Sequence, residues 1–368
     1  MTRASRSVRS VTKRRVAVRL LVLGILLAPL SAALFADTII PTGVNDSGLI
    51  VGQDYNANSG TYQAFLYNPS TSTFTYLTPP DSTNVTATGI NDNGQIVGAY
   101  GNSSGNYSYL YSGGTYTTIS VPGALQYNPP TFFDGGGTDN AAGINNAGEI
   151  IGTWTNPSGY EQGFEYSGGT FTDTGIDEPG ESYTALYGIN DSGLISGNAF
   201  NFVHGARSVN SAFLYNGSTF TPIAYPGATS TTVQGINDSG DAVGWYTLNG
   251  QTSGFIYDNG SYTSIMYPGA GSTNLFGISN NGEIVGTYTC TSGDCPFSDP
   301  AFYAIPTQNG YSFTTIDAPT PEPGTALLAG GILALGAIRR RLRGRRNHGP
   351  ESPPQTRGSS TPSRFSIS

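Results

Sequence analysis

Hydrophobic residues occur in short runs separated by turn residues, and one ten-residue pattern occurs six times. The first copy reads GVNDSGLIVG, and later copies read GINDNGQIVG, GINNAGEIIG, GINDSGLISG, GINDSGDAVG and GISNNGEIVG. The copies begin at Gly43, Gly89, Gly143, Gly188, Gly235 and Gly277, so the intervals are 46, 54, 45, 47 and 42 residues. A recurrence of this length is typical of a repeat architecture.

A second pattern follows each copy and completes the repeat unit. Examples are AFLYNGSTFTPIAYPGA from Ala212 and GFIYDNGSYTSIMYPGA from Gly254. Each unit therefore contains two hairpin signals, one at Asn-Asp-x-Gly and one at Gly-Gly or Asn-Gly. Asp and Asn bond to their own backbone in turns, and Gly supplies the positive φ. Two hairpins predict four strands for each unit, and Pro-Gly-Ala ends the unit.

Six units of four strands predict an all-β fold, a six-bladed β-propeller over residues 37–318. An open β-solenoid has the same period and remains the alternative, because a repeat does not by itself prove ring closure. The longest unit contains an insertion, Gln126–Asn140, for which we predict a surface loop.

Composition and charge narrow the class of function. Charged residues make up 11% of the chain, against about 25% in an average soluble domain, while the 368 residues include 51 Gly and 23 Pro. Between residues 37 and 318, Arg207 is the single basic side chain, and all but two of the acidic side chains lie there. Such an acidic region argues against nucleic acid as a partner, because nucleic-acid binding requires cationic side chains.

The N-terminal residues 1–36 have the pattern of a secretory signal peptide. A basic segment reaches Arg19, an apolar segment follows from Leu20 to about Leu30, and small residues such as Ala33 and Ala36 come next. Signal peptides of this kind are removed from the mature protein. An uncleaved N-terminal anchor is the alternative, although the apolar run is short for a membrane span.

The C-terminal segment, residues 319–346, has three parts: a Pro-Glu-Pro sequence, a short apolar stretch and a basic cluster. The apolar stretch, Thr325–Ile338, would cover about 21 Å as a helix, less than the ~30 Å hydrocarbon core. Long Arg side chains can reach the interface and would hold their end in the cytoplasm. The first and third parts are Pro321, Glu322 and Pro323, and Arg339, Arg340, Arg341, Arg343, Arg345 and Arg346.

This arrangement resembles the PEP-CTERM sorting signal of Gram-negative bacteria. The resemblance implies recognition by a membrane protease-transpeptidase of the exosortase type, with transient insertion of the C-terminal helix in the inner membrane. It also implies release to the cell surface or to an exopolysaccharide matrix. Family members usually end soon after the basic cluster, whereas here residues 347–368 follow, a Ser-, Pro- and Arg-containing tail predicted to be disordered. A plain linker before an ordinary anchor is the alternative.

The repeated GINDxGxIVG motif with its later AFLY resembles the HAF family of extracellular repeats. The resemblance extends over most of residues 37–318. It implies an exported repeat protein and implies no particular chemistry.

Candidate chemistry within the repeats is sparse. His204 is the only imidazole between residues 37 and 318, and no nucleophile elbow surrounds it, so we predict a loop histidine. Asp46, Asp92, Asp191 and Asp238 occupy the same motif position and suggest a Ca²⁺ site, because Ca²⁺ prefers oxygen ligands. Asn146 and Asn280 replace them in units three and six, and turn chemistry explains Asp and Asn equally. We expect no cofactor other than this Ca²⁺.

The two cysteines, Cys290 and Cys295, are the only ones in the chain. In an exported protein they favour a disulfide that closes a local loop of the last unit. Two thiols are too few for most structural metal sites.

Together these features predict an exported, non-catalytic repeat protein, anchored in the membrane before processing and then at the cell surface or extracellular, with extracellular polysaccharide as a partner. A carbohydrate-active propeller enzyme and a Ca²⁺-stabilised adhesin are the alternatives. Carboxylates that converge with Tyr at one mouth of the channel would favour the enzyme. Carboxylates scattered over separate turns would favour the structural role.

Overall fold

The computed structural model describes residues 38–56, 59–125, 139–203, 206–291 and 300–318. This part of the chain forms six antiparallel sheets of four strands each, and it contains no helix. Each sheet consists of four strands that are consecutive in the sequence. The sheets are called blades 1 to 6 in chain order, and the first strand of each blade is its inner strand.

The strands of blades 1 to 3 are β1 (Thr38–Val44), β2 (Ile50–Asn56), β3 (Thr61–Asn68), β4 (Thr73–Leu77), β5 (Asn84–Ile90), β6 (Ile96–Asn102), β7 (Gly105–Ser112), β8 (Thr115–Ile119), β9 (Asp139–Ile144), β10 (Ile150–Thr155), β11 (Glu161–Ser167) and β12 (Thr170–Ile176). Those of blades 4 to 6 are β13 (Tyr183–Ile189), β14 (Ile195–Val203), β15 (Ala206–Tyr215), β16 (Phe220–Ile223), β17 (Ser230–Ile236), β18 (Ala242–Leu248), β19 (Gln251–Asp258), β20 (Ser261–Ile265), β21 (Ala270–Ile278), β22 (Ile284–Cys290), β23 (Ala301–Thr307) and β24 (Gly310–Ile316).

The six blades close into a ring. Each inner strand packs against the inner strand of the next blade, and β21 of blade 6 packs against β1 of blade 1. The backbone N–H of Asn280 donates to Asp46 Oδ1 at 2.7 Å across this closing contact. The protein is therefore a six-bladed β-propeller, as the repeat arithmetic predicts, and the open solenoid is wrong.

Glycine at two motif positions lets the sheets approach. A Cβ at Gly277 would lie 3.0 Å from Gly43 Cα, and one at Gly143 would lie 3.2 Å from Gly188 Cα, so adjacent inner strands touch through their backbones. Within a blade, a Cβ at Gly286 would lie 2.9 Å from the ring of Phe302, which is fully buried. The aromatic residue of AFLY thus fills the space that the second glycine leaves.

Apolar side chains fill the space between neighbouring blades. The core between blades 6 and 1, for example, contains Ile39, Val44, Phe65, Val285 and Ile316. Because each blade alone would expose these residues, burial between blades provides the main stabilisation of the ring.

The predicted surface loop needs correction at its C-terminal end, and the predicted terminal segments lie outside the described residues. Within the predicted loop Gln126–Asn140, Asp139 and Asn140 are the first residues of β9, because they pair with Trp154 and Thr153; residues 126–138 lie outside the described residues. The predicted signal peptide, the C-terminal helix and the tail also lie outside them. No helix of the described residues has the length and apolarity to cross a membrane.

Candidate functional site

The turns that join the first two strands of every blade meet at one mouth of the central channel. In blade 1, Asn45 Oδ1 accepts from the backbone N–H of Ser47 at 3.1 Å and of Leu49 at 3.0 Å. Gly48 has a φ of 70°, which its lack of a Cβ permits. The first Asn of the motif therefore closes its own turn, as the Asn-Asp-x-Gly signal predicts.

The same buried Asn also connects its blade to the next. Its Nδ2 donates to the backbone carbonyl of the equivalent residue in the following blade, at 2.9–3.4 Å. Five blades make this bond, through Asn45, Asn91, Asn145, Asn190 and Asn237. In blade 6 the equivalent residue is Ser279, which has no side-chain amide to make this bond.

The next motif residue builds a second, complete ring of hydrogen bonds. At each junction its backbone N–H donates to Oδ1 of the equivalent side chain in the following blade, at 2.7–2.8 Å. The ring runs through Asp46, Asp92, Asn146, Asp191, Asp238 and Asn280 and returns to Asp46. We call these six residues the mouth ring.

The two asparagines of the mouth ring supply donors to the remaining carboxylate oxygens. Asn146 Nδ2 donates to Asp92 Oδ2 at 2.9 Å and to Asp191 Oδ2 at 3.0 Å. Asn280 Nδ2 donates to Asp46 Oδ2 at 3.1 Å and to Asp238 Oδ2 at 2.7 Å. Every carboxylate oxygen of the ring therefore accepts a hydrogen bond. The order Asp, Asp, Asn, Asp, Asp, Asn gives each Asp one Asn neighbour.

The structure thus brings the four predicted Ca²⁺ ligands to one place, although their turns are far apart in the sequence. Among the residues that the structure describes, no group of three or more His, Cys, Asp or Glu side chains has the geometry to hold a metal ion. Turn chemistry explains Asp at this position by its own turn. The structure shows that each Asp side chain instead accepts hydrogen bonds from a neighbouring blade. The Ca²⁺ hypothesis stays a prediction.

Glu283 lies beside the mouth ring and has an unusual environment. In blade 3, Asn145 Nδ2 donates to Glu149 Oε2 at 2.7 Å, and Glu283 is the equivalent of Glu149. Since blade 6 has Ser279 in place of that Asn, Glu283 Oε2 is buried without a hydrogen-bond partner among the described residues. Burial raises the pKa of Glu283, and the nearby charge of Asp46 raises it further.

A cavity of about 440 Å³ extends inward from the mouth ring along the channel. A β-bulge interrupts every inner strand just before the first glycine of the motif, and bulges redirect side chains. The bulge residues line this cavity: Thr42, Thr88, Ala142, Tyr187, Gln234 and Phe276. The sequence indicates these lining residues in one way: the position before the first glycine of the motif varies, while the motif that follows it is repeated.

The adjacent carboxylates Asp177 and Glu178 do not form an acid/base pair. Thr184 Oγ1 donates to Asp177 Oδ1 at 2.9 Å, and Ser211 Oγ donates to Glu178 Oε1 at 2.9 Å, so each carboxylate has its own partner. Burial raises the pKa of Glu178, the Ser211 hydrogen bond lowers it, and the charges of Glu181 and Asp177 raise it.

The remaining predicted residues divide into two groups. Cys290 is disulfide-bonded. Arg207 lies in β15, paired with Phe202. Residues outside the described part are His204, Cys295, Pro321, Glu322, Pro323, Arg339, Arg340, Arg341, Arg343, Arg345 and Arg346.

Comparison with known proteins gives similarity of fold. No family model matches the chain, and no curated protein matches it significantly. A mutant of AofleA from Arthrobotrys oligospora is 12% identical with a TM-score of 0.46, over 78% of this chain and 88% of that chain. The β-propeller domain of the Trilobed protease from Pyrococcus furiosus is 10% identical with a TM-score of 0.44, over 77% and 96%. TolB from Acinetobacter baumannii is 11% identical with a TM-score of 0.48, over 78% and 65%.

Proposed function

We propose that the protein is an exported, non-catalytic repeat protein of the cell surface or the exopolysaccharide matrix, sorted through its C-terminal PEP-CTERM signal. The sequence features that support export are the signal peptide pattern of residues 1–36 and the Pro-Glu-Pro, apolar and Arg segments of residues 319–346. The disulfide of Cys290 also supports export, because disulfides persist in oxidising compartments outside the cytoplasm.

The contacts of the mouth ring support the proposal that the protein is not an enzyme. Its carboxylates converge in the channel, an arrangement that by itself would favour an enzyme. However, a catalytic carboxylate must exchange a proton with a substrate or attack it, so it must lie within reach of the reacting atom. The ring Asp side chains instead bind the backbone and the amides of neighbouring blades. They hold the propeller closed.

The experiment on delivery is fractionation of the cells that produce the protein, with mass spectrometry of both mature ends. We expect a new N-terminus after Ala33 or Ala36 and a surface or extracellular form that lacks Arg339–Arg346. Alanine at Pro321, Glu322 and Pro323 should leave the protein membrane-associated with an intact C-terminus. Alanine at Pro353 and Pro354, in the tail, is the matched control and should leave processing unchanged. Recovery of intact Arg339–Arg346 in the cytosol alone would overturn the proposal.

A carbohydrate-active enzyme is the second candidate, because the ring Asp residues and Tyr187 line the same cavity. Incubation of the purified chain with neutral polysaccharides distinguishes the two functions. Release of new reducing ends that disappears in Asp92→Asn would establish the enzyme. The proposed structural role predicts no release and a lower melting temperature for that variant.

A further inference from the structure

The channel is not symmetric, although the blades repeat. The bulge residues of blades 1 to 3 are small (Thr42, Thr88 and Ala142), whereas those of blades 4 to 6 are large (Tyr187, Gln234 and Phe276). All six line the same cavity. The variation therefore makes one side of the channel open and the other side filled.

The second strand of each blade shows the same asymmetry. Just after the second glycine of the motif, Gln53, Ala99 and Thr153 of blades 1 to 3 line the cavity. The equivalent Asn198, Trp245 and Thr287 of blades 4 to 6 are not among the described residues that line it. Trp245 packs edge-on against Phe276, with ring centroids 5.6 Å apart. The large side chains of blades 4 to 6 thus narrow their side of the channel, and the cavity extends further toward the second strands of blades 1 to 3.

The open half presents hydrogen-bond acceptors. The hydroxyl of Thr42 donates its hydrogen to Ala87 O at 2.8 Å, and that of Thr88 donates to Ala141 O at 2.6 Å. Both hydroxyl oxygens therefore offer lone pairs to the cavity. Asn140 also lines the cavity, and its Oδ1 is buried without a partner among the described residues. A buried acceptor of this kind is costly unless a ligand or water donates to it.

Charge and shape restrict the ligand further. Below the mouth ring the lining residues are uncharged, while the ring itself carries four carboxylates at the entrance. The entrance therefore repels anions and admits neutral or cationic molecules. Tyr187 and Phe276 add an aromatic wall, on which an apolar face of a ligand can pack. The occupant has many O–H or N–H donors, one apolar face and no negative charge.

We propose that this cavity binds a pyranose ring of a neutral or amino sugar. A pyranose has an apolar C–H face for the aromatic wall and several hydroxyl donors for Thr42, Thr88 and Asn140. The volume of about 440 Å³ lies within the ~300–1,000 Å³ range of small-molecule pockets. The inference does not depend on export, since binding is measured on the purified full chain.

The test uses matched ligands that differ in charge. Saturation-transfer NMR and calorimetry are performed with methyl glycosides of glucose, galactose and mannose, and with their 2-amino and uronic acid counterparts. We expect at least one neutral sugar to bind, its amino counterpart to bind as well or better, and its uronic acid to bind at least ~10-fold more weakly, a difference of about 1.4 kcal/mol. Absence of binding to every member, or preference for a uronic acid, would overturn the proposal.

Three variants locate the site. Ala142→Tyr fills the open half, and the repeat itself accepts Tyr at this bulge position in blade 4. Tyr187→Ala removes one of the two side chains of the aromatic wall, and blade 3 has Ala at the equivalent position. Each should weaken binding at least ~10-fold. Thr117→Tyr, on the exposed edge strand β8, is the control and should bind as the wild type does. Melting temperatures establish that each variant folds. Binding that Ala142→Tyr and Tyr187→Ala leave unchanged would exclude the channel.

Discussion

The junction between blades 6 and 1 differs from the other five junctions of the propeller. At those five, the two blades are consecutive in the sequence, whereas blades 6 and 1 contain the two ends of the repeat array. No strand crosses between them, because each blade is built from its own four consecutive strands. Among the residues that the structure describes, non-covalent contacts alone close this junction. We call it the seam.

The seam also lacks one of the hydrogen bonds that the other junctions have. A buried Asn amide spans each of the five linked junctions, but Ser279 replaces it at the seam. What remains there are the mouth-ring bonds of Asn280 to Asp46, the bond of Asn281 Nδ2 to Asp46 O at 2.9 Å, and the apolar core. The seam therefore depends on the mouth ring more than any linked junction does.

The largest expected effect comes from removing the bridging asparagine at the seam. Asn280→Ala deletes both amide bonds to the flanking carboxylates and should lower the free energy of unfolding by about 2–3 kcal/mol. Asn146→Ala deletes the equivalent bonds at blade 3, where Asn145 still spans the junction, so about 1–2 kcal/mol is expected. Urea unfolding measures both.

Hydrogen exchange sharpens this comparison. In Asn280→Ala, the amides of β1 and β22, which pack against each other across the seam, should exchange faster than those of the other blades. An equal or larger loss of stability in Asn146→Ala would show that the seam is not the weakest junction.

A smaller effect of opposite sign is expected when the missing amide is restored. Ser279→Asn provides a donor for Asn45 O across the seam and for Glu283 Oε2, which has no hydrogen-bond partner within the described part of the chain. We expect a gain of about 1–2 kcal/mol, close to the value of one or two buried hydrogen bonds. Asn145→Ser reproduces the blade 6 arrangement in blade 3 and should cost a similar amount, since Asn145 Nδ2 binds both Asn190 O and Glu149 Oε2. Destabilisation by Ser279→Asn would contradict this account of the seam.

Much of the fold is predictable from the sequence because its signals are local. The turn residues fix hairpins, the hairpins fix four strands per unit, and the six copies fix the number of blades. The mouth ring is not predictable in this way, because Asp46 finds its partner in Asn280, at the other end of the repeat array. Only the closed ring makes these residues neighbours. The sequence nevertheless contains one indication of the mouth ring. Asn replaces Asp in every third copy of the motif, and each of these two Asn side chains donates to two Asp side chains.

The residues that line the channel cavity are not predictable from the sequence for a related reason. The bulge residues look like ordinary strand positions, and their common direction becomes visible only when six inner strands surround one axis. The variable position before an otherwise repeated glycine is the sequence feature that marks them.

The smallest expected effect concerns the charge of Glu283 beside Asp46. Burial and the charge of Asp46 raise the pKa of Glu283 above its ordinary 4.5 in the folded protein, so the folded state holds this proton more tightly than the unfolded state does. The free energy of unfolding therefore falls as the pH rises from the unfolded pKa through the folded pKa. Glu283→Gln should remove this fall and stabilise the protein at neutral pH, by less than about 1 kcal/mol because solvent screens a carboxylate that is only partly buried. Glu149→Gln is the matched control, since Glu149 already accepts from Asn145 Nδ2 and should show no gain. Thermal unfolding between acidic and neutral pH measures both variants. A gain for Glu283→Gln that is equally large below the unfolded pKa would assign the effect to packing rather than to charge.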